Sequence, residues 1–296
     1  MKVFVTSATG WVGSEVTRLL VKEGHEVTAL VRSEASEKKA KEAGVKTVSG
    51  DLESLDVLKE AAKTADAVIH TAFIHDFARY AECVAIDKAA VGAILDGLSG
   101  SGKTFVLASA LLGTGDEDTL PPLDGFSAIR GAVERLALER GEKEKVRIAI
   151  VRLPPSVHGV GEKAFVPMLY GIAKAKGVSA YVDEGDNRWA AVHRDDAARA
   201  FVLAMTKGPD GQRAHAVAEP EGVRLRDIAE AIGKQLDIPV KSISGEDAVN
   251  EHFGGFAGFV SLTMTSPPTT LTQERLGWKP EARSLLDDIA DPAYFA

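Results

Sequence analysis

The stretch Met1-Lys-Val-Phe-Val-Thr-Ser-Ala-Thr-Gly-Trp-Val-Gly-Ser14 decides the fold. Lys2–Thr6 is a short apolar strand. Ser7, Gly10 and Gly13 follow at spacings of three, and an amphipathic helix carrying Glu15, Val16, Leu19 and Leu20 begins at once. Strand, glycine-rich turn and helix N-terminus in this order predict a βαβ unit. Its free helical N–H groups and positive dipole end would face a dinucleotide pyrophosphate. Ser7 stands where the first of three glycines is usual, and it fits there provided the turn does not require a positive φ. A glycine-containing turn with no ligand is the alternative.

The rest of the chain continues the pattern. Apolar β-branched runs at Val3–Thr6, Glu26–Val31, Thr47–Ser49, Ala67–His70, Thr104–Leu107 and Arg147–Arg152 read as strands. Between them, Glu15–Glu23, Ser36–Ala43, Leu55–Lys63, Tyr80–Leu98 and Arg130–Arg140 carry helical periodicity. Strand alternating with helix predicts an α/β fold, a doubly wound parallel Rossmann sheet covered on both faces. The switch point is expected between the first and fourth strands. After Pro154-Pro155 the pattern changes. Phe165–Lys176, Asp195–Met205 and Leu225–Leu236 read as helices and Arg213–Ala218 as a late strand, while 242–296 is punctuated by glycine and proline. Residues 1–157, with a return segment at about 190–218, are expected to form the dinucleotide domain. Residues 158–189 and 219–296 are expected to form a smaller mixed substrate lobe, with a small-molecule substrate in the cleft between lobes.

Bulk composition sets outer bounds. A chain of 296 residues with 45% hydrophobic content accommodates one large α/β domain or two modest ones. The net charge of −8 argues against a general affinity for nucleic acid or anionic membrane. Cys83 is the single cysteine, which excludes an internal disulfide and fits a reducing compartment. No N-terminal targeting segment is expected, because the fold starts at residue 2. No apolar run reaches the roughly 18 residues of a membrane span, so the cytoplasm is the expected location.

Six segments in order resemble the extended or atypical short-chain dehydrogenase/reductase family, in its NAD-dependent epimerase/dehydratase-like branch. Thr6-Ser7-Ala8-Thr9-Gly10-Trp11-Val12-Gly13-Ser14 is similar to its TGATGFIGS loop, and Gly50-Asp51-Leu52 to its adenine-contacting GDL. His70-Thr71-Ala72 matches its HxA segment. Arg152-Leu-Pro-Pro-Ser-Val-His-Gly159 looks like its RPxxVYG turn near the nicotinamide. Ala191-Val-His193-Arg-Asp195-Asp196 resembles VHVxDxA, and Leu276-Gly-Trp-Lys-Pro280 resembles LGWxP. The resemblance implies a dinucleotide held by Thr6, Ser7, Thr9, Gly10, Trp11, Val12, Gly13, Asp51, Leu52, Thr71, Ala72 and Phe73, together with Pro154, Ser156 and Val157. It also implies a homodimer through the Tyr80–Leu98 and Arg130–Arg140 helices.

Arg32 bears on the cofactor. An NAD-specific unit usually ends its second strand with a carboxylate for the ribose 2′-OH. Here the strand ends Ala29-Leu-Val-Arg32-Ser33, with no acid until Glu34. Arg32 offers a fork for a 2′-phosphate and Ser33 a further hydrogen bond, so NADP is the expected cofactor. A solvated arginine at a strand end is the bland alternative.

The resemblance breaks at the catalytic signature, YxxxK, whose tyrosine exchanges the substrate proton. Glu134 matches the family glutamate four residues past the lysine. Counting back gives Phe126-Ser-Ala-Ile-Arg130, with phenylalanine for tyrosine and arginine for lysine. Arg130 can still hold a ribose, and Ser109 at the end of the fifth strand keeps the family's catalytic serine/threonine position. Losing a general acid costs about 10²–10⁴ in rate, so either another residue donates the proton or the chemistry is not ordinary carbonyl reduction. His75 beside Asp76 is one acid/base candidate, the alternative being a loop histidine and a helix-capping aspartate. His158 is as well explained by a turn, Tyr80 and Tyr170 by helix packing, and His193 by burial.

Gly97-Leu-Ser-Gly-Ser-Gly102-Lys103-Thr104 satisfies a phosphate-loop pattern but follows a helix and precedes a strand, the reverse of a working loop. The seven histidines are scattered and no metal constellation is expected. The leading expectation is an NADP-dependent oxidoreductase, with Ser109, His75 and Arg130 as catalytic residues. A non-catalytic NADP sensor of the NmrA type and a sugar epimerase or dehydratase are the rivals.

Overall fold

The computed structural model describes residues 1–111, 115–267 and 269–295, and for Phe77, Phe126 and Ser127 only the backbone. The chain runs β1 (Lys2–Thr6), α1 (Trp11–Lys22), β2 (Glu26–Val31), α2 (Glu34–Glu42), β3 (Lys46–Ser49), α3 (Leu55–Thr64) and β4 (Ala67–His70). It continues through α4 (Tyr80–Leu98), β5 (Thr104–Ala110), α5 (Gly125–Glu144), β6 (Arg147–Leu153), β7 (Ser156–His158), α6 (Phe165–Lys176), β8 (Ser179–Val182) and β9 (Arg188–His193). Then follow α7 (Arg194–Thr206), β10 (Gln212–His215), β11 (Glu219–Arg224), α8 (Leu225–Leu236), β12 (Val240–Ile243) and α9 (Glu246–Phe253). Short helices α10 (Ala257–Val260), α11 (Thr270–Leu276) and α12 (Leu285–Ala290) complete the order.

Two compact units result. The first comprises Met1–Arg152, Ala197–Ala216 and Thr269–Trp278. Its seven-stranded sheet has the order β10-β6-β5-β4-β1-β2-β3. The expected parallel doubly wound sheet is present, with a seventh strand, β10, added beside β6. Val3–Thr6 of β1 are buried, as a strand at the centre of such a sheet must be. From β1 the chain steps outward through β2 and β3, then returns to β4 and steps the other way. Right-handed crossovers therefore place α1 and α2 on one face and α3, α4 and α5 on the other. On the second face Leu58, Ala62, Val91, Ile94, Leu98, Val133 and Ala137 close a core against Phe4, Val68 and Phe105. The register sets Thr6 of β1 beside His70 of β4. Ser33 caps α2 with a reciprocal pair to Ser36, which starts that helix directly after Arg32.

The second unit comprises Leu153–Asp196, Val217–Pro268 and Lys279–Ala296. A three-stranded sheet of order β11-β9-β7 and a parallel pair β12-β8 organise it. The sequence-derived boundaries differ from these units at Leu153–Val157, 190–196, Val217–Ala218 and Thr269–Trp278. Leu153–Val157 and 190–196 belong here because β7 pairs with β9, Ser156 opposite Ala191. Thr269–Trp278 belongs to the first unit. There the Thr272 hydroxyl accepts the His215 amide at 2.8 Å, and the buried Glu117 carboxylate accepts the Thr272 amide at 2.9 Å. Among the described residues no helix is long and apolar enough to cross a membrane.

Candidate cofactor and active site

The turn after β1 is tighter than the sequence reading assumed. Ser7 has φ of +55°, so this position does require the left-handed region, and a serine occupies it at a cost of about 1 kcal/mol. Its carbonyl accepts the Gly10 amide at 2.8 Å. A Cβ on Gly10 would meet Ser7 Oγ at 2.3 Å, and one on Gly13 would meet the Ser7 carbonyl oxygen at 2.1 Å. Close approach of backbone requires the glycine at 13, whereas at Gly10 the nearest obstacle is a side-chain hydroxyl and the backbone oxygen of Ser7 lies at 3.1 Å. Helix α1 begins at Trp11 with no side-chain cap from Gly10. Ser7, Thr9, Gly10, Trp11 and Val12 are half-buried and Gly13 and Thr6 buried, which makes a partly open rim over the helix N-terminus.

At the end of β2, Arg32 is exposed and has no hydrogen-bond or ion-pair partner among the described residues. Ser33 is partly committed, since its Oγ accepts the Ser36 amide at 3.2 Å. Asp51 is committed as well. Its carboxylate accepts from Ser54 Oγ at 2.8 Å and the Glu53 amide at 3.0 Å, and these bonds hold its pKa below the usual value. Leu52 is buried in the core cluster with Leu30 and Leu58.

Arg130 is held on several sides. Its Nη1 pairs with the fully buried Asp87, and its Nη2 donates to the Ala108 carbonyl at 3.0 Å. Its Cζ lies 4.3 Å from the centre of the Phe73 ring. Ser109, next to Ala108 on β5, is buried. His75 is exposed and packs edge-on against Phe73, ring centres 5.2 Å apart. Crowding of the imidazole, then the Arg130 charge, lowers its pKa. The candidate His75–Asp76 pair does not form. Asp76 instead accepts the Ala78 amide at 3.1 Å and Arg79 Nε at 3.0 Å, which is the helix-capping alternative. Tyr80 also packs edge-on against Phe73, ring centres 6.1 Å apart, and burial raises its pKa. Thr71 Oγ1 donates to the Thr6 carbonyl at 2.8 Å, and the Ala72 amide to Thr6 Oγ1 at 3.2 Å. The side chain of Phe126 lies outside the described residues; its backbone belongs to the first turn of α5.

Glu134 has a structural task. It forms a bidentate pair with Arg152, both fully buried, at 2.5 and 3.2 Å. His215 Nε2 lies 3.1 Å from Arg152 Nη1 and accepts from it, and burial plus that guanidinium lower the His215 pKa to about 3. The reversed phosphate-loop segment lies between α4 and β5, with Lys103 Nζ on the Lys63 carbonyl at 2.9 Å. Sequence reasoning passed over Asp87. A lone acid on a helix face otherwise made of Cys83, Val84, Ala90, Val91 and Ile94 was the available signal.

In the second unit, Pro154 and Ser156 are buried and Val157 is half-buried. His158 is fully buried, with Nδ1 at 2.6 Å from Asp288. His193 is half-buried, its Nδ1 accepting the Asp195 amide at 3.1 Å, and burial lowers its pKa. Tyr170 stacks on Phe295 at 3.9 Å, the packing role. Glu162 is buried and accepts from the Tyr294 hydroxyl; burial pushes its pKa from 4.5 up to about 7. The folded state therefore keeps a proton that the unfolded chain loses from about pH 4.5 upward. Stability falls as pH rises from there to about 7, by at most ~3 kcal/mol, then levels off. Glu162→Gln is expected to melt above the wild type at pH 8 and level with it near pH 5, read by thermal denaturation across pH. Among the described residues no group of three or more His, Cys, Asp or Glu is placed to hold a metal.

The NAD dependent epimerase/dehydratase family matches residues 3–217. An uncharacterized protein of Schizosaccharomyces pombe is 46% identical over 303 residues, covering 100% of both chains. A 4-hydroxy-2-methyl-3-oxo-4-farnesyl-3,4-dihydroquinoline-1-oxide ketoreductase of Stigmatella aurantiaca is 28% identical, over 72% of this chain and 66% of its own. The crystal structure of UDP-glucose 4-epimerase with UDP-glucose from Thermotoga maritima superposes with a TM-score of 0.76. That protein is 16% identical, covering 100% of this chain and 98% of its own.

Proposed function

Because the chain belongs to the NAD dependent epimerase/dehydratase family, we propose that it is an NADP(H)-dependent oxidoreductase acting on a small organic carbonyl, alcohol or activated double bond. The observation that carries the NADP assignment is Arg32, an exposed guanidinium without a partner among the described residues, at the strand end where an NAD enzyme usually has a carboxylate. The likeness to a ketoreductase supports a carbonyl as the substrate class.

The chain's residues fit such a cofactor. The Ser7–Gly13 turn and the N-terminus of α1 take the diphosphate, Arg32 and the α2 terminus the 2′-phosphate, and Asp51 and Leu52 border the adenine. Thr71, Ala72 and Phe73 continue the rim, and Ser109 and Arg130 flank the nicotinamide ribose. The bound nicotinamide supplies or accepts the hydride; the protein orients it and handles the proton. Ser109 donates a hydrogen bond to the substrate oxygen. His75, its pKa lowered, is neutral at neutral pH and so suits accepting an alcohol proton rather than donating one as imidazolium. On this reading the protein works in the cytoplasm with Cys83 as a buried free thiol.

Arg32→Ala tests the assignment. A charged hydrogen bond of this kind is worth roughly 1.5–3 kcal/mol, about tenfold to a hundredfold in affinity. NADPH affinity is expected to fall by that factor while NADH affinity stays unchanged, measured by calorimetric titration. Equal loss for both dinucleotides, or none for either, contradicts the assignment.

A further inference from the structure

We propose that Asp87 is a positioning residue that presets Arg130 for the nicotinamide-ribose end of the cofactor, an inference that rests on the role given to Arg130 above. Asp87 is fully buried on the apolar face of α4, where an ionised carboxylate persists only if paired. Both of its oxygens are used. Oδ1 lies 2.9 Å from His70 Nε2, and Oδ2 takes Arg130 Nη1.

The direction of each bond follows from the groups themselves. A carboxylate only accepts, so His70 Nε2 carries its proton toward Asp87. In a neutral ring Nδ1 is then the acceptor, and the Thr6 hydroxyl donates to it across 3.0 Å. The Thr6 oxygen accepts the Ala72 amide in turn. The β1–β4 register, which sets Thr6 beside His70, thus fixes the imidazole. The imidazole fixes one carboxylate oxygen, and the other fixes the guanidinium.

The Ala108 carbonyl and the Phe73 ring hold the remaining freedom of the guanidinium plane. Two of its five N–H bonds are accounted for by these contacts, and the side chain remains 11% exposed. An arginine whose rotamer is set before the ligand arrives loses less entropy on binding than a free one. Arg130 is therefore a fixed donor, and Asp87 is what fixes it.

The test compares the wild type with Asp87→Asn, using NADPH and adenosine 2′,5′-bisphosphate as probes. The second probe carries the adenine and 2′-phosphate but no nicotinamide ribose. Asparagine that keeps its carbonyl on His70 turns an N–H toward Arg130, donor against donor. NADPH affinity is expected to fall about tenfold while the bisphosphate binds unchanged. The guanidinium N–H resonances of Arg130 are expected to be sharp in the wild type by NMR and to broaden in the variant. General structural damage would weaken both probes together. Should Asp87→Asn not fold, Asp87→Glu keeps the charge, displaces the pair by a methylene, and is expected to show the same split. Equal loss of both probes, or unchanged NADPH affinity with unchanged Arg130 resonances, overturns the proposal. Failure of the wild type to bind either probe overturns the cofactor reading, and this inference with it.

Discussion

Gly13→Ala is expected to abolish NADPH binding and to destabilise the protein by several kcal/mol, at or beyond the roughly 1–3 kcal/mol of ordinary overpacking. Its Cβ would lie 2.1 Å from the Ser7 carbonyl oxygen, 2.9 Å from its carbon and 2.8 Å from Thr71 Oγ1. None of these neighbours can yield cheaply. Ser7 already sits at φ +55° with its carbonyl bound to the Gly10 amide, and Thr71 Oγ1 is bound to the Thr6 carbonyl. Relief would push α1 away from the turn that is proposed to receive the diphosphate. Gly10→Ala should be milder, because its nearest obstacle is the rotatable Ser7 Oγ. Quenching of Trp11 fluorescence by NADPH and the melting temperature report the two effects. Wild-type affinity in Gly13→Ala would show that the turn is not the diphosphate site.

Arg152→Met is expected to cost about 3–5 kcal/mol, because it strands a fully buried Glu134 carboxylate. The loss is not confined to the ion pair. The Arg152 guanidinium also donates to the Thr119 carbonyl at 2.8 Å and faces the Asp116 carbonyl and His215 Nε2. Adding Glu134→Leu removes the stranded charge, so the double variant should regain a large part of the loss. Urea unfolding of the single and double variants measures the coupling. A single variant within 1 kcal/mol of the wild type, on the order of an exposed pair, would contradict the geometry.

Most strands of the first unit were legible because they are buried apolar runs; β3, Lys-Thr-Val-Ser, and β10, Gln-Arg-Ala-His, are the exceptions. Ala67–His70 and Glu26–Val31 look the same in sequence and in space. The second unit was harder for a physical reason. β11 is Glu-Pro-Glu-Gly-Val-Arg, with no apolar alternation and both a proline and a glycine, and β7 is only three residues long. Glycine spacing located the dinucleotide turn, but the backbone conformation of Ser7 is not written in its side chain. Adjacency suggested a His75–Asp76 pair; the helix starting at Phe77 needed a cap, and Asp76 supplied it. Asp87 was hidden because its partners, His70 and Arg130, lie 17 and 43 residues away in the chain.

The most direct test of the account is a pair of calorimetric titrations of the wild-type protein, one with NADPH and one with NADH, in the same low-phosphate buffer. Saturable binding of one dinucleotide per chain is expected, with NADPH tighter by about tenfold to a hundredfold. Equal affinities, or no binding of either, would contradict it.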